Sequence, residues 1–239
     1  MTGLRVDSLS YAYGACHALR EVSFLVEPGT FCALLGPNGA GKSTLFALLT
    51  GLFTAPQGRI AIAGHDMARS PRKALRQMGV VFQQPTLDLD LTVQSNLSYF
   101  AALHGLRGPT AQLRIEAVLE RLDMRERLGE RVRSLNGGHR RRLEIARSLI
   151  HRPRVLLLDE PTAGLDAATR QAVTGHLHDL SRRRGLTVLW ATHLTDEIDD
   201  ADQLLILHRG RLAGDGTARQ LRGGLGLADH YLMLTGAAA

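Results

Sequence analysis

Residues 36–43 read Gly-Pro-Asn-Gly-Ala-Gly-Lys-Ser, and no other stretch restricts the possible folds of this chain so strongly. They match G-x-x-x-x-G-K-[ST] at every fixed position. The five residues before them, Phe31 to Leu35, are all apolar, the pattern of a strand buried on both faces. The residues after them predict a helix from Lys42 to about Thr50. A buried strand, a glycine-rich loop and a helix in that order belong to an α/β sheet whose loop cradles phosphate.

Each residue type in the loop has a chemical reason. Gly36, Gly39 and Gly41 let the backbone curl until its N–H groups face phosphate oxygens, and the helix adds the positive end of its dipole. Lys42 neutralises β- and γ-phosphate charge, and the Ser43 hydroxyl suits Mg²⁺. Pro37, Asn38, Ala40 and Thr44 complete the predicted nucleotide-binding set. Further on, Val155-Leu156-Leu157-Leu158 runs into Asp159-Glu160. An apolar strand ending in a carboxylate places Asp159 to support the metal. Glu160, one residue beyond, is placed to polarise an attacking water.

Around these motifs the pattern divides the chain. The first sixty-odd residues alternate as half-buried strands, with Leu4 and Val6, then Val22, Phe24 and Val26, then Ile60 and Ile62. Gly14, Pro28-Gly29, Pro56-Gln57-Gly58 and Gly64 read as turns between them. From about Pro85 to Arg152 the periodicity is helical: Ile115, Val118, Leu119 and Leu122 form one stripe, and Leu143, Ala146 and Ile150 another. Strand and helix then alternate, with Val155–Leu158 and Thr187–Trp190 as strands and Ala167–Arg184 as a helix. Gln203–His208 and Arg211–Ala213 read as a terminal hairpin. The expected fold is an α/β P-loop NTPase core with a mostly parallel sheet. It carries an N-terminal antiparallel β subdomain and an inserted α-helical subdomain. The core spans residues 1–84 and 153–239, and the insertion spans 85–152.

Composition narrows the classes further. The net charge is +6, from 29 basic and 23 acidic residues, and a basic balance suits nucleic acid, anionic lipid or nucleotide phosphate alike. The clusters Arg140-Arg141-Arg142 and Arg182-Arg183-Arg184 are expected to be solvated helix faces. No apolar run approaches the roughly 18 residues of a membrane span, and residues 1–7 carry no secretory pattern. Cys16 and Cys32 are expected to be reduced, packed thiols.

Further motifs resemble the ABC ATPase family. Leu135-Asn136-Gly137-Gly138-His139 stands 20 residues before the Val155 strand (155 minus 135) and resembles the LSGGQ signature. Gly79-Val80-Val81-Phe82-Gln83 resembles the Q-loop, Ala163-Gly164-Leu165-Asp166 the D-loop and Ala191-Thr192-His193 the H-loop. Tyr13, in Tyr11-Ala12-Tyr13-Gly14, resembles the aromatic residue that stacks on adenine, with Tyr11 as the alternative stacker. The resemblance covers residues of about 4 to 217 and implies ATP and Mg²⁺ as cofactors. Gln83 should touch the metal and water site, and His193 should contact the γ-phosphate and hold the water or Glu160. Leu135 to His139 should press on ATP held by a second ATPase subunit, with Asp166 at the interface. The signature departs from the family pattern at Asn136 and His139. At His139, phosphate charge in the closed dimer would favour an imidazolium.

Three classes compete within the family. Members acting on DNA insert a long coiled coil, but Gln83 and Leu135 are 52 positions apart (135 minus 83) with Pro85 and Pro109 between them. Ribosome-acting members carry two cassettes, whereas this chain has one. The expected function is therefore that of an ATP-hydrolysing transporter subunit working as a dimer with a separate transmembrane permease, with export favoured and no nucleic acid partner. The alternative is a non-transport ABC ATPase acting on nucleic acid or ribosomes. The resemblance implies a position at the cytoplasmic face of the inner membrane, held there by the permease. The docking surface should be the cleft between Gln83 and about Phe100.

Overall fold

The computed structural model describes residues 3–222, 226, 227 and 231. Two sheets share the core. In the first, β1 (Leu4–Tyr13), β2 (Cys16–Val26), β4 (Gln57–Ile62) and β5 (His65–Asp66) lie in the order β2-β1-β4-β5, all antiparallel. The second contains β3 (Phe31–Leu35), β6 (Met78–Val81), β7 (Val155–Asp159), β8 (Thr187–Thr192), β9 (Gln203–His208) and β10 (Arg211–Thr217). Its order is β10-β9-β3-β8-β7-β6, parallel except for the terminal β9–β10 hairpin.

Strands β3, β7 and β8 of the second sheet are buried on both faces, and the period of two along a strand sorts their residues. Leu156, Leu158, Val188 and Trp190 face a core shared with the helices α3 (Val93–Leu103), α4 (Gly108–Arg121), α5 (Gly137–Leu149) and α6 (Ala167–Arg184). Val155, Leu157, Leu189 and Ala191 point the other way, to α1 (Lys42–Leu49) and the antiparallel sheet. The expected stripes Ile115/Val118/Leu119/Leu122 and Leu143/Ala146/Ile150 are all buried, as are Val173, Leu177 and Leu180 on α6. No helix among the described residues is long and apolar enough to cross a membrane.

The structure corrects several details. Gln57 and Gly58 are not in a turn but open β4. Gly58 sits at φ 95° where the β1–β4 register shifts, and a Cβ there would lie 2.6 Å from the Leu9 Cα. Its turn-like identity reflects a bulge, which needs a left-handed residue as much as a turn does. The hairpin strand β10 runs on to Thr217. The helix α2 (Pro71–Arg76) and the two-residue β5 are too short to build a periodic signal, although Ser70-Pro71 is a recognisable helix start. Cys32 is buried, and burial raises its pKa, but Cys16 is exposed at the start of β2; both are free thiols.

Candidate active site

Parallel pairing brings four motifs to one edge of the sheet. Leu35 pairs with Thr192, Asp159 with Ala191, and Val81 with Leu158. The chain therefore leaves β3, β6, β7 and β8 at neighbouring C-terminal ends, where ligands of α/β sheets bind. The phosphate loop, Gln83, Glu160 and His193 follow directly from those ends.

Their side chains converge on Glu160. The Lys42 ammonium lies 3.7 Å from Glu160 Oε1, and His193 Nδ1 lies 3.4 Å from the same oxygen. Gln83 Nε2 donates to Glu160 Oε2 at 3.1 Å. The Glu160 backbone has a φ of 45°, uncommon for a residue with a side chain. Its N–H donates to the Ala191 carbonyl at 3.0 Å, which fixes that conformation. Local strain at a side chain contacted from three sides makes Glu160 a candidate functional position.

Lys42 is buried and donates to the Gly36 carbonyl at 2.6 Å and to Pro37 at 3.3 Å. Burial lowers its pKa, opposed by the neighbouring charges of Glu160 and Asp159. Gly41 precedes it at φ 110°, and a Cβ there would lie 2.6 Å from the Ala18 carbonyl oxygen, so the loop tolerates only glycine at that point. Pro37, Asn38, Gly39, Ser43 and Thr44 line a cavity of about 420 Å³ with Gln83 and Glu160. Asp159 is buried at the end of β7. Burial and then the adjacent Glu160 raise its pKa, against Lys42 and Arg141.

Tyr13 is half exposed, its hydroxyl 3.4 Å from Thr44 Oγ1. Tyr11 instead stacks on Phe53 with centroids 5.5 Å apart and packs against the core. Behind His193, the buried Glu197 accepts hydrogen bonds from Thr162, from Trp190 Nε1 at 3.0 Å and from Thr192 Oγ1 at 2.5 Å. This network fixes the strand end that carries His193.

A family model described as ABC transporter matches residues 19–163. The chain belongs to the ABC transporter family. It is 39% identical over 222 residues to the daunorubicin resistance ATP-binding protein DrrA3 of Streptomyces coeruleorubidus, covering 92% of this chain and 70% of that one. It is 35% identical to the probable multidrug ABC transporter ATP-binding protein YbhF of Escherichia coli, covering 92% of this chain and only 38% of the relative. A solved ATP-binding subunit of an ABC transporter superposes with a TM-score of 0.86 at 29% identity, covering 98% and 99% of the two chains. The chain is thus an ATP-binding and ATP-hydrolysing cassette.

Not every residue singled out in the sequence lies at the Glu160 cluster. Within the cassette, Leu135 to His139 and Asp166 do not line the phosphate-loop cavity. Asn136 caps α5, its side-chain oxygen accepting the His139 N–H at 2.8 Å, which is the job serine performs at such a position. Asp166 likewise caps α6 by accepting from Thr169, and the Thr169 N–H holds its carboxyl below the usual range.

In the single chain, without a partner's nucleotide, His139 faces other charges. Partial burial, then Arg127 and Arg142, lower its pKa against the weaker pull of Glu130. The imidazole is therefore biased towards its neutral form, which mimics the uncharged amide of glutamine. ATPase profiles of wild type and His139→Gln across about pH 6 to 8 are expected to differ by a constant factor only. A wild-type rise on the acid side that is missing in the variant would show that nucleotide phosphate overrides the two arginines.

Three residues on α5 lie outside the sequence motifs but inside the fold's interior. Arg141, Glu144 and Arg147 are buried, so this arginine cluster is not a solvated face. The second cluster is: Arg182 pairs with Asp199 at 2.8 Å and Arg183 with Asp179 at 3.7 Å, all exposed. The available signal was helical spacing, since positions 141, 144 and 147 share one face. Arg20 and Arg209, which also line the cavity, carry no pattern signal.

Proposed function

We propose that ATP lies along residues 36–43 with its adenine against Tyr13, and that Glu160 accepts a proton from the attacking water. The observation that carries this reading is the convergence of Lys42, Gln83 and His193 on one carboxylate beside the phosphate loop. Gln83 holds one oxygen of Glu160, and His193 faces the other. Lys42 is poised to exchange backbone carbonyls for phosphate oxygens.

Ser43, Gln83 and Asp159 would hold Mg²⁺. The donor set fits, since it offers only hard oxygens. The Asp159 carboxylate is buried, has a raised pKa and receives no hydrogen bond among the described residues. A divalent cation would supply the missing charge and neutralise phosphate when bound. ATP hydrolysis by the purified cassette should therefore stop when EDTA is added and return with Mg²⁺. Undiminished phosphate release in EDTA would overturn the assignment.

The signature residues Leu135 to His139 and Asp166 belong to a second site in this reading: they close over ATP held by a partner cassette. Residues 85–152 act as the helical lobe and residues 1–84 and 153–239 as the nucleotide-binding core. The permease is a separate subunit, docking at a largely apolar groove of about 360 Å³ lined by Leu52, Leu75, Phe82, Thr86, Phe100 and His151. The names of the relatives, daunorubicin resistance and multidrug transport, support export. A cassette working through such a permease sits at the cytoplasmic face of the membrane.

A further inference from the structure

The guanidinium of Arg141 bonds to the backbone on either side of the hydrolytic carboxylate. Its Nε donates to the Pro161 carbonyl. One terminal nitrogen donates to the Asp159 carbonyl at 3.3 Å and the Glu160 carbonyl at 3.0 Å. The other donates to the Phe82 carbonyl and to Glu144 Oε2, both at 2.7 Å. An arginine has five N–H donors in a fixed fork, and here all five are engaged. The carbonyls belong to residues 159–161 and 82, each Glu160 itself or the immediate neighbour of Glu160 or Gln83.

The same helix face also grips the far side of the Gln83 turn. Glu144 Oε1 accepts the Thr86 N–H at 2.8 Å, and Arg147 donates to the Thr86 carbonyl at 2.8 Å. Phe82 and Thr86, which bracket Gln83, are thus both held by α5. Gln83 in turn reaches Glu160 at 3.1 Å. The contacts form a closed ring running from α5 to the Gln83 turn, to the Glu160 carboxylate, to the backbone of residues 159–161 and back through Arg141.

We propose that Arg141 is a positioning residue for ATP hydrolysis, setting the Glu160 carboxylate and the Gln83 turn in register with the helical lobe that bears the signature residues. This rests on the reading of Glu160 as the group that polarises water. Any tilt of α5 relative to the sheet moves the guanidinium, and four carbonyls beside the two reacting side chains move with it. A displacement of about 1 Å in such a site costs up to about 100-fold in rate. Arg141 touches neither ATP nor water in this scheme, so its effect falls on turnover and not on nucleotide affinity.

Arg141→Lys keeps the charge but loses the fork, because a lysine has three donors on one atom. Arg141→Gln removes the charge altogether and keeps an amide that can reach one carbonyl. For each, kcat, the Kd of a non-hydrolysable ATP analogue and the Tm would be measured on the full chain, beside Arg142→Lys as control. Among the described residues, Arg142 hydrogen-bonds only to the Leu122 carbonyl, at 3.5 Å. The expected result is a fall in kcat of about 10- to 100-fold, with the analogue Kd within about threefold and the control unaffected. Unchanged kcat in a folded variant overturns the proposal. So does a joint loss of kcat, affinity and thermal transition in both variants, which would make Arg141 a determinant of folding alone. Glu160→Gln separates the two layers. If that variant still turns over, the reading of Glu160 has failed; if it is inactive while Arg141→Lys is not, only the positioning role has failed.

Discussion

Lys42→Ala weakens ATP binding by about 100-fold or more, and in a standard equilibrium titration no binding is detected. The estimate follows from two charge-assisted hydrogen bonds to phosphate at about 1.5–3 kcal/mol each, with 1.4 kcal/mol per tenfold. The ammonium is buried and already aimed into the loop, donating to the Gly36 and Pro37 carbonyls. Part of the cost of its desolvation has therefore been met before the nucleotide arrives. Alanine leaves the loop backbone in place, so Tm should fall far less than affinity. Titration with a fluorescent ATP analogue checks the outcome, and wild-type affinity in this variant would refute the phosphate-loop assignment.

Glu160→Gln has the opposite profile, with turnover lowered by about 100- to 10,000-fold, the range of a lost general base, and ATP binding retained. The amide has the size of the carboxylate and can still accept from Gln83, and the backbone N–H to Ala191 is unaffected. What disappears is a basic oxygen and one negative charge beside the triphosphate. Affinity should therefore hold or rise, while steady-state phosphate release nearly vanishes. Release at the wild-type rate would transfer the role to another group at the same sheet edge, where His193 is the nearest candidate.

Much of this site could be read from the chain itself because its residues are fixed by local rules. A glycine-rich loop between a buried strand and a helix has one geometry, and a carboxylate after four apolar residues has one position on a parallel sheet. Once β3, β6, β7 and β8 are parallel neighbours, the convergence of Lys42, Gln83, Glu160 and His193 follows from topology. The contacts of Arg141 were not legible in this way. An arginine flanked by two others looks like a solvated face, and only its distances to the carbonyls of residues 82 and 159–161 reveal a buried fork. Gly58 misled for a related reason, since a left-handed residue serves a β-bulge as readily as a turn. For His139 the residue type suggested an imidazolium beside nucleotide phosphate in the closed dimer; in the single chain partial burial, then Arg127 and Arg142, oppose protonation.

These observations join two layers of the cassette. The sheet edge assembles the proposed hydrolytic cluster, and α5 carries both the Asn136-capped segment and the Arg141 fork that grips that cluster. In the proposed dimer, a signature that closes on a partner's ATP would thereby align the Glu160 of its own chain.

In this scheme ATP is held between two such chains before it is hydrolysed. The most direct measurement is the mass of Glu160→Gln by size-exclusion chromatography with light scattering, with and without ATP and Mg²⁺. The expected result is a shift from the 26.0 kDa chain to a species of twice that mass on adding ATP, reversed by its removal. A particle that stays at the mass of one chain with ATP fully bound would contradict it.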